Sequence, residues 1–333
     1  MSNVKFGVEI PTFAGGGGTH RDVPLYEQID WKTARNTAIL AEKLGYDSIW
    51  MADHFILGNK GEMFEIWTAM SALAAITNRV ELGSLVMCML HRQPSVLAKM
   101  AATLDHISNG RLILGVGAGW NEPELTAYGL RFPTAGERIA RMKEGIKVMK
   151  AMWTEDKPTY KGKYYSINDA ICRPKPAQLG GPPIIVGAVG PQMLKTAVEV
   201  GDGWNLCDDP TVDLYRGKLA IINEWCEKLG KPPESFMKSW DGHVLIGRNQ
   251  EDLNEKMDRL KKLKIPGDLY TLKSQVIPSE MLQNCISGTP DECIKKIKRF
   301  TALGVSHFSL WFLDYPSLEC MTLFAEQVLP MFS

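Results

Sequence analysis

What the chain lacks removes most classes of chemistry. Its seven cysteines, Cys88, Cys172, Cys207, Cys226, Cys285, Cys293 and Cys320, are odd in number, scattered, and never spaced as CxxC. A disulfide framework or a structural zinc site is therefore not expected. No excess of charge exists either, because 38 Lys+Arg balance 38 Asp+Glu. The densest basic run, Lys256 to Lys264, alternates with Leu and Met and reads as the solvated face of a helix. With no basic stripe, a nucleic-acid partner is not expected. No apolar run approaches the roughly 18 residues of a membrane span. The opening MSNVKFGVEI has no signal-peptide pattern and runs straight into a strand. The expectation is a soluble, cytoplasmic protein with a small-molecule substrate and neither nucleic-acid nor membrane partners.

Motif absences narrow this further. The run Ala14-Gly-Gly-Gly-Gly18 has no following GK[ST], so it is not a P-loop. It reads instead as a mobile cover or a tolerated insertion. No GxGxxG follows the first strand, as an open dinucleotide-binding sheet would require. Six histidines are present, but none in HxH or HExxH spacing. His54 and His91 fall past neighbouring strands and are the available metal candidates. Without more ligands around them, no metal site is expected.

What is present is a repeat of strand, polar turn, helix and glycine stop. Val4 to Ile10 is the first strand, and Ile29 to Leu44 has helical spacing that ends at Gly45. Asp47 to Met51 is the second strand, Arg79 to Met89 the third and Leu112 to Gly117 the fourth, with helices Phe64 to Ile76 and Ser95 to His106 between them. After a long helix, Thr134 to Met152, strands follow at Ile184–Gly187, Gly203–Cys207, Met237–Ile246 and Val305–Leu313. Alternating units imply parallel strands with right-handed crossovers. Eight of them in 333 residues, with 45% hydrophobic composition, argue for one α/β domain over residues 1–333, a (β/α)8 TIM barrel. Irregular stretches at about 157–183, after strand four, and about 265–287, near strands seven and eight, read as insertions.

In such a barrel the residues past each strand line the site. Asp53-His54 ends strand two, and His is the side chain suited to moving protons near neutral pH. A cap and a structural histidine are the plain alternative for this pair. The other strand ends carry Glu9, Leu85-Val86, Gly117-Ala118, Trp120-Asn121 and Gly187-Ala188-Val189-Gly190. They are apolar, aromatic and glycine-rich, which suits a flat aromatic ligand. The turn at Gly187 to Gly190 opens a helix at Pro191, a place where free amides can hold a phosphate.

These residues resemble a known family. Ala41-Glu-Lys-Leu-Gly-Tyr-Asp-Ser-Ile-Trp50, Ala52-Asp-His-Phe55, Arg79-Val-Glu-Leu-Gly-Ser-Leu-Val86 and the run from Leu97 to Asn121 are similar to the luciferase-like monooxygenase superfamily. So are Phe132-Pro-Thr-Ala-Gly-Glu-Arg138, Pro182 to Gly187, and Val200-Gly-Asp-Gly-Trp-Asn205. That superfamily includes bacterial luciferase and the flavin- and coenzyme F420-dependent oxidoreductases. The match spans about residues 3 to 210 and is looser after about 230.

The resemblance implies a TIM barrel that binds coenzyme F420, or alternatively FMN, at its C-terminal edge. It implies that Asp53 and His54 lie near the reactive ring, that Leu85–Val86 is a cis peptide propping that ring, and that Gly187 to Gly190 holds phosphate. It also implies a homodimer, for which the helices flanking strand three are the expected interface on this chain. Several F420-dependent dehydrogenases and reductases carry an acidic residue directly after the GxG of strand four, where this chain has Trp120, then Asn121 and Glu122. That departure weighs against a glucose-6-phosphate dehydrogenase or a methylene-tetrahydromethanopterin reductase. Glu9 resembles the glutamate of the latter and keeps that reading open. The expected function is hydride transfer between F420 and a small organic substrate, with Asp53, His54 and Glu9 as catalytic candidates. The alternatives are an FMN-dependent monooxygenase, with Phe13, Phe55, Met87, Met89, Trp120 and Trp311 as apolar walls, and a non-catalytic flavin-binding barrel.

Overall fold

The computed structural model describes residues 4–14, 25–58, 60–265, 275–276, 282 and 284–332. Eight parallel strands close into a barrel: β1 (Lys5–Glu9), β2 (Ser48–Met51), β3 (Glu81–Ser84), β4 (Leu112–Gly117), β5 (Ile184–Gly187), β6 (Gly203–Leu206), β7 (Met237–Ile246) and β8 (His307–Phe312). Each strand pairs with the next. β8 pairs with β1 at Lys5↔His307, and β7 joins β6 at Met237↔Gly203. The helices α1 (Trp31–Leu44), α2 (Ile66–Ile76), α3 (Pro94–Ile107), α4 (Glu122–Ala127), α5 (Ala135–Thr154), α6 (Pro191–Val200), α7 (Val212–Lys228), α8 (Gln250–Lys262), α9 (Pro290–Thr301) and α10 (Glu319–Gln327) follow the strands.

Local chemistry sets the ends of these elements. Asp30 starts α1 by accepting from the Thr33 amide at 2.8 Å, and Gly45 stops it at φ 94°. An L-residue at that angle would crowd its own carbonyl. Two cores result. One lies between the strands and the helical ring. The other fills the barrel itself, where Trp50, Leu85, Ile113 and Ile185 meet. Trp50 fits only because β1 and β3 present Gly7 and Gly83 to its ring, where a Cβ would collide with it. This plug closes the barrel and leaves the C-terminal strand ends to form the site.

The sequence reading differs from the fold in the third strand and in both insertions. The third strand is broken: β3 ends at Ser84, a cis peptide joins Leu85 to Val86, and Met87–Cys88 resumes pairing with β4. The first insertion holds a small hairpin, Tyr160–Lys161 against Ser166–Ile167. In the second, Lys264–Ile265 pairs with Gln275–Val276, and Ile286–Gly288 adds to the end of β7. The glycine run at 15–18 lies outside the described residues. Among the described residues no helix is long and apolar enough to cross a membrane.

Candidate active site

The C-terminal ends of β2 to β6 surround a cavity of about 420 Å³. That volume is in the range of small-molecule sites. Its base is the Leu85–Val86 bond. Gly117 and Gly187 flank Val86, and a Cβ on either would come within 2.8 Å and 3.0 Å of a Val86 methyl. The glycines therefore leave a shallow cradle that side chains would fill. Leu57, Met87, Leu125 and Met193 supply apolar walls, and half-exposed Trp120 stands at the rim. A larger opening of about 550 Å³ lies between α8 and the end of β8, but it contains none of the candidate residues.

One wall is polar, and it is built around Asp53 and His54. His54 Nδ1 lies 2.8 Å from Glu124 Oε2. An ionised carboxylate only accepts, so Nδ1 carries the proton and the bare Nε2 remains for an occupant of the cavity. Glu124 also accepts from the amides of Phe55 and Ile56, the latter at 3.0 Å. Burial raises the Glu124 pKa, but His54 and those amides outweigh it, so the carboxyl is held below its ordinary value and stays ionised.

Asp53 is buried and does not touch His54 directly. It accepts from Arg92 at 2.8 and 3.1 Å and from the Cys88 amide at 3.0 Å. Arg92 bridges on to Glu65, the N-cap of α2, at 2.7 Å. Burial opposes ionisation of Asp53, but His91 and Arg92 prevail and hold it at about 2. His91 completes the cluster, with Nδ1 3.3 Å from Asp53 and Nε2 4.0 Å from Glu124. Burial pushes His91 down, while Asp53 and Cys88 push it up to about 10. Its ring stacks on Phe55 at 4.2 Å, and Phe55 stacks on Tyr128 at 4.5 Å.

The structure thus gathers Asp53, His54, Leu85, Val86, Gly117, Ala118, Trp120, Asn121, Gly187, Ala188 and Val189 around one cavity. Glu9 is fully buried at the end of β1 and lies outside that lining, as does Gly190. Gly190 caps α6, whose first turn has no side-chain cap, so its amides remain open to an anion. Of the six proposed apolar walls only Met87 and Trp120 line the cavity. Phe13 packs on Trp311 at 5.1 Å, Phe55 belongs to the aromatic column, and Met89 is core.

Sequence reasoning missed Glu124, which sits on the unread six-residue helix α4. The available signal was Asn121, whose side chain accepts from the Glu124 amide at 3.3 Å, an N-cap with an acid three residues on. His91, read as a metal candidate, instead lies with Nδ1 beside the Asp53 carboxylate. No group of His, Cys, Asp and Glu among the described residues could hold a metal.

The model of the family described as luciferase-like monooxygenase matches residues 4–307. An F420-dependent glucose-6-phosphate dehydrogenase of Amycolatopsis mediterranei is 30% identical over 308 residues, covering 88% of this chain and 92% of that one. Two solved structures share the fold. One is an F420-dependent secondary alcohol dehydrogenase in complex with an F420-acetone adduct, with TM-score 0.77, 22% identity and 99% of each chain covered. The other is a coenzyme F420-dependent tetrahydromethanopterin reductase from Methanopyrus kandleri, with TM-score 0.78, 20% identity and coverage of 99% and 100%.

Proposed function

Because the chain belongs to the luciferase-like monooxygenase family, we propose that it is a coenzyme F420-dependent oxidoreductase acting on a small organic substrate. The observation that carries this reading is the pairing of a flat apolar cradle with one oriented imidazole. The cradle over Leu85–Val86, kept open by Gly117 and Gly187, accepts a planar ring and no Cβ. The Val189 amide and the uncapped first turn of α6 would hold a phosphate, while the Ala188 amide is spent on the Asn205 carbonyl at 3.1 Å. Bound there, F420 would accept or donate a hydride.

The chain's own residues do the rest. Glu124 fixes the tautomer of His54, so Nε2 can take or return one proton at the cavity wall. Asp53 and Arg92 hold the loop after β2 against the Cys88 amide and so keep that nitrogen in place. Leu57, Leu125 and Met193 exclude water beside it.

Titrating the purified protein with oxidised F420 and with FMN, following quenching of each cofactor's fluorescence, tests the reading. Saturable quenching of F420 is expected. Saturable FMN binding without an F420 response would overturn it in favour of an FMN-dependent monooxygenase. The narrower reading, a methylene-tetrahydromethanopterin reductase-like activity, leans on Glu9, buried where β1 ends. Assay of that substrate with F420-loaded Glu9→Gln protein tests it, with loss of turnover expected. The reading also includes a homodimer through α2 and α3, supported by exposed Ile76, Val96 and Ile107 on those helices. A monomer mass by light scattering would reject the dimer.

A further inference from the structure

We propose that His91 is a positioning residue for this reaction: its imidazole stands between Asp53 and Glu124, and from there it determines whether the His54 nitrogen that faces the cavity carries a proton. Only the kinetic part of its test rests on the F420 reading.

The side chain of His91 is fully buried, and those of Asp53 and Glu124 are 1% exposed. One imidazole therefore stands between two buried carboxylates with a nitrogen turned toward each, at 3.3 and 4.0 Å. Its stack on Phe55 holds the ring in that plane. The groups facing it are Asp53 from the end of β2, Glu124 from α4, Cys88 from the strand after the cis bond, and Arg92 beside it. Arg131, Arg141 and Tyr165 line the adjoining groove.

Charge counting assigns the role. Arg92 is already committed to Asp53 and Glu65. Among the described residues, a neutral His91 would leave Glu124 with His54 and the Phe55 and Ile56 amides to offset its charge, and no further cation facing it. Removing a facing positive charge drives a buried carboxylate toward taking up a proton. Glu124 would then donate that proton to His54 Nδ1, and the tautomer of His54 would reverse. Nε2 would carry hydrogen and could no longer accept one. A positively charged His91 keeps Glu124 an acceptor, and so keeps Nε2 bare.

Two measurements test this. In 15N NMR of the full-length labelled protein at about pH 8, one of the six histidines keeps both ring protons, well above the ordinary histidine range. The His54 signal shows Nδ1–H and bare Nε2, and in His91→Gln that pattern reverses. If His91→Gln does not fold, Glu124→Gln is used: the doubly protonated signal must then move. Six neutral imidazoles in the wild type overturn the proposal, as does an unmoved His54 signal. In turnover assays, His91→Gln lowers kcat by about 10²-fold, with F420 affinity changed less than about twofold. The same substitution costs nothing further in a Glu124→Gln background. An equal loss in both backgrounds would mark His91 as merely structural. Absence of F420 binding with the NMR result intact strikes the cofactor reading alone.

Discussion

Replacing Asp53 by Asn removes one negative charge and almost no volume. All of its partners, the Arg92 guanidinium, the Cys88 amide and His91, present hydrogens. Whichever way the new amide turns, its NH2 meets a donor. Two routes give the magnitude. The drop of the Asp53 pKa from an ordinary 3.8 to about 2 corresponds to about 2 kcal/mol of folded-state stabilisation. Breaking a buried ion pair costs about 3–5 kcal/mol, and the low end applies because Arg92 keeps Glu65. A loss of about 3 kcal/mol follows. With an unfolding entropy of about 2.1 cal/mol/K per residue over 333 residues, Tm should fall by about 4 °C. The pH dependence has a definite sign. A depressed carboxyl pKa stabilises above about pH 4 and loses that stabilisation as pH falls through about 2. The Tm gap between wild type and Asp53→Asn should therefore be full at neutral pH and narrow on acidification. Scanning calorimetry at a series of pH values measures both. A gap under about 1 °C at neutral pH, or one that does not change on acidification, refutes the account of Asp53 as a charged anchor.

Other outcomes follow from the same geometry. His54→Ala should lower kcat by about 10²–10⁴-fold with cofactor binding retained; unchanged turnover at saturating cofactor would reject a proton role. His91, raised to about 10, stabilises fully below about pH 6.5 and less as pH rises through about 10. Thermal melts of the wild type should decline across that window and those of His91→Gln should decline less; parallel profiles would contradict this. Gly83→Ala places a methyl inside the Trp50 ring and should cost about 1–3 kcal/mol or more, read as a lowered Tm or loss of soluble protein.

Much of the fold was legible because barrel units announce themselves locally. Period, glycine stops and caps such as Asp30 and Thr134 are decided by a few adjacent residues. The break in the third strand was not legible from hydropathy, since Arg79 to Met89 is uniformly strand-like. Only the resemblance placed a cis bond at Leu85–Val86, where the structure has it. Helix α4 escaped because six residues with a proline and two acids carry too short a period to read.

The sequence by itself determined the strand-and-helix alternation, and with it the ring of strand ends on which Asp53, His54, Leu85 and Gly187 had to appear. It also supplied the glycines that leave the cradle open. Which groups touch was decided only in three dimensions. Glu124 reaches His54 across 70 residues, and Arg92 reaches Asp53 across 39. Such pairings depend on how β2, β3 and β4 are staggered in the closed barrel, and no local pattern encodes that stagger. The burial that turns Asp53, His91 and Glu124 into a locked charge cluster is likewise a property of the closed barrel and its loops, because desolvation is set by everything packed around a group rather than by its neighbours in the chain.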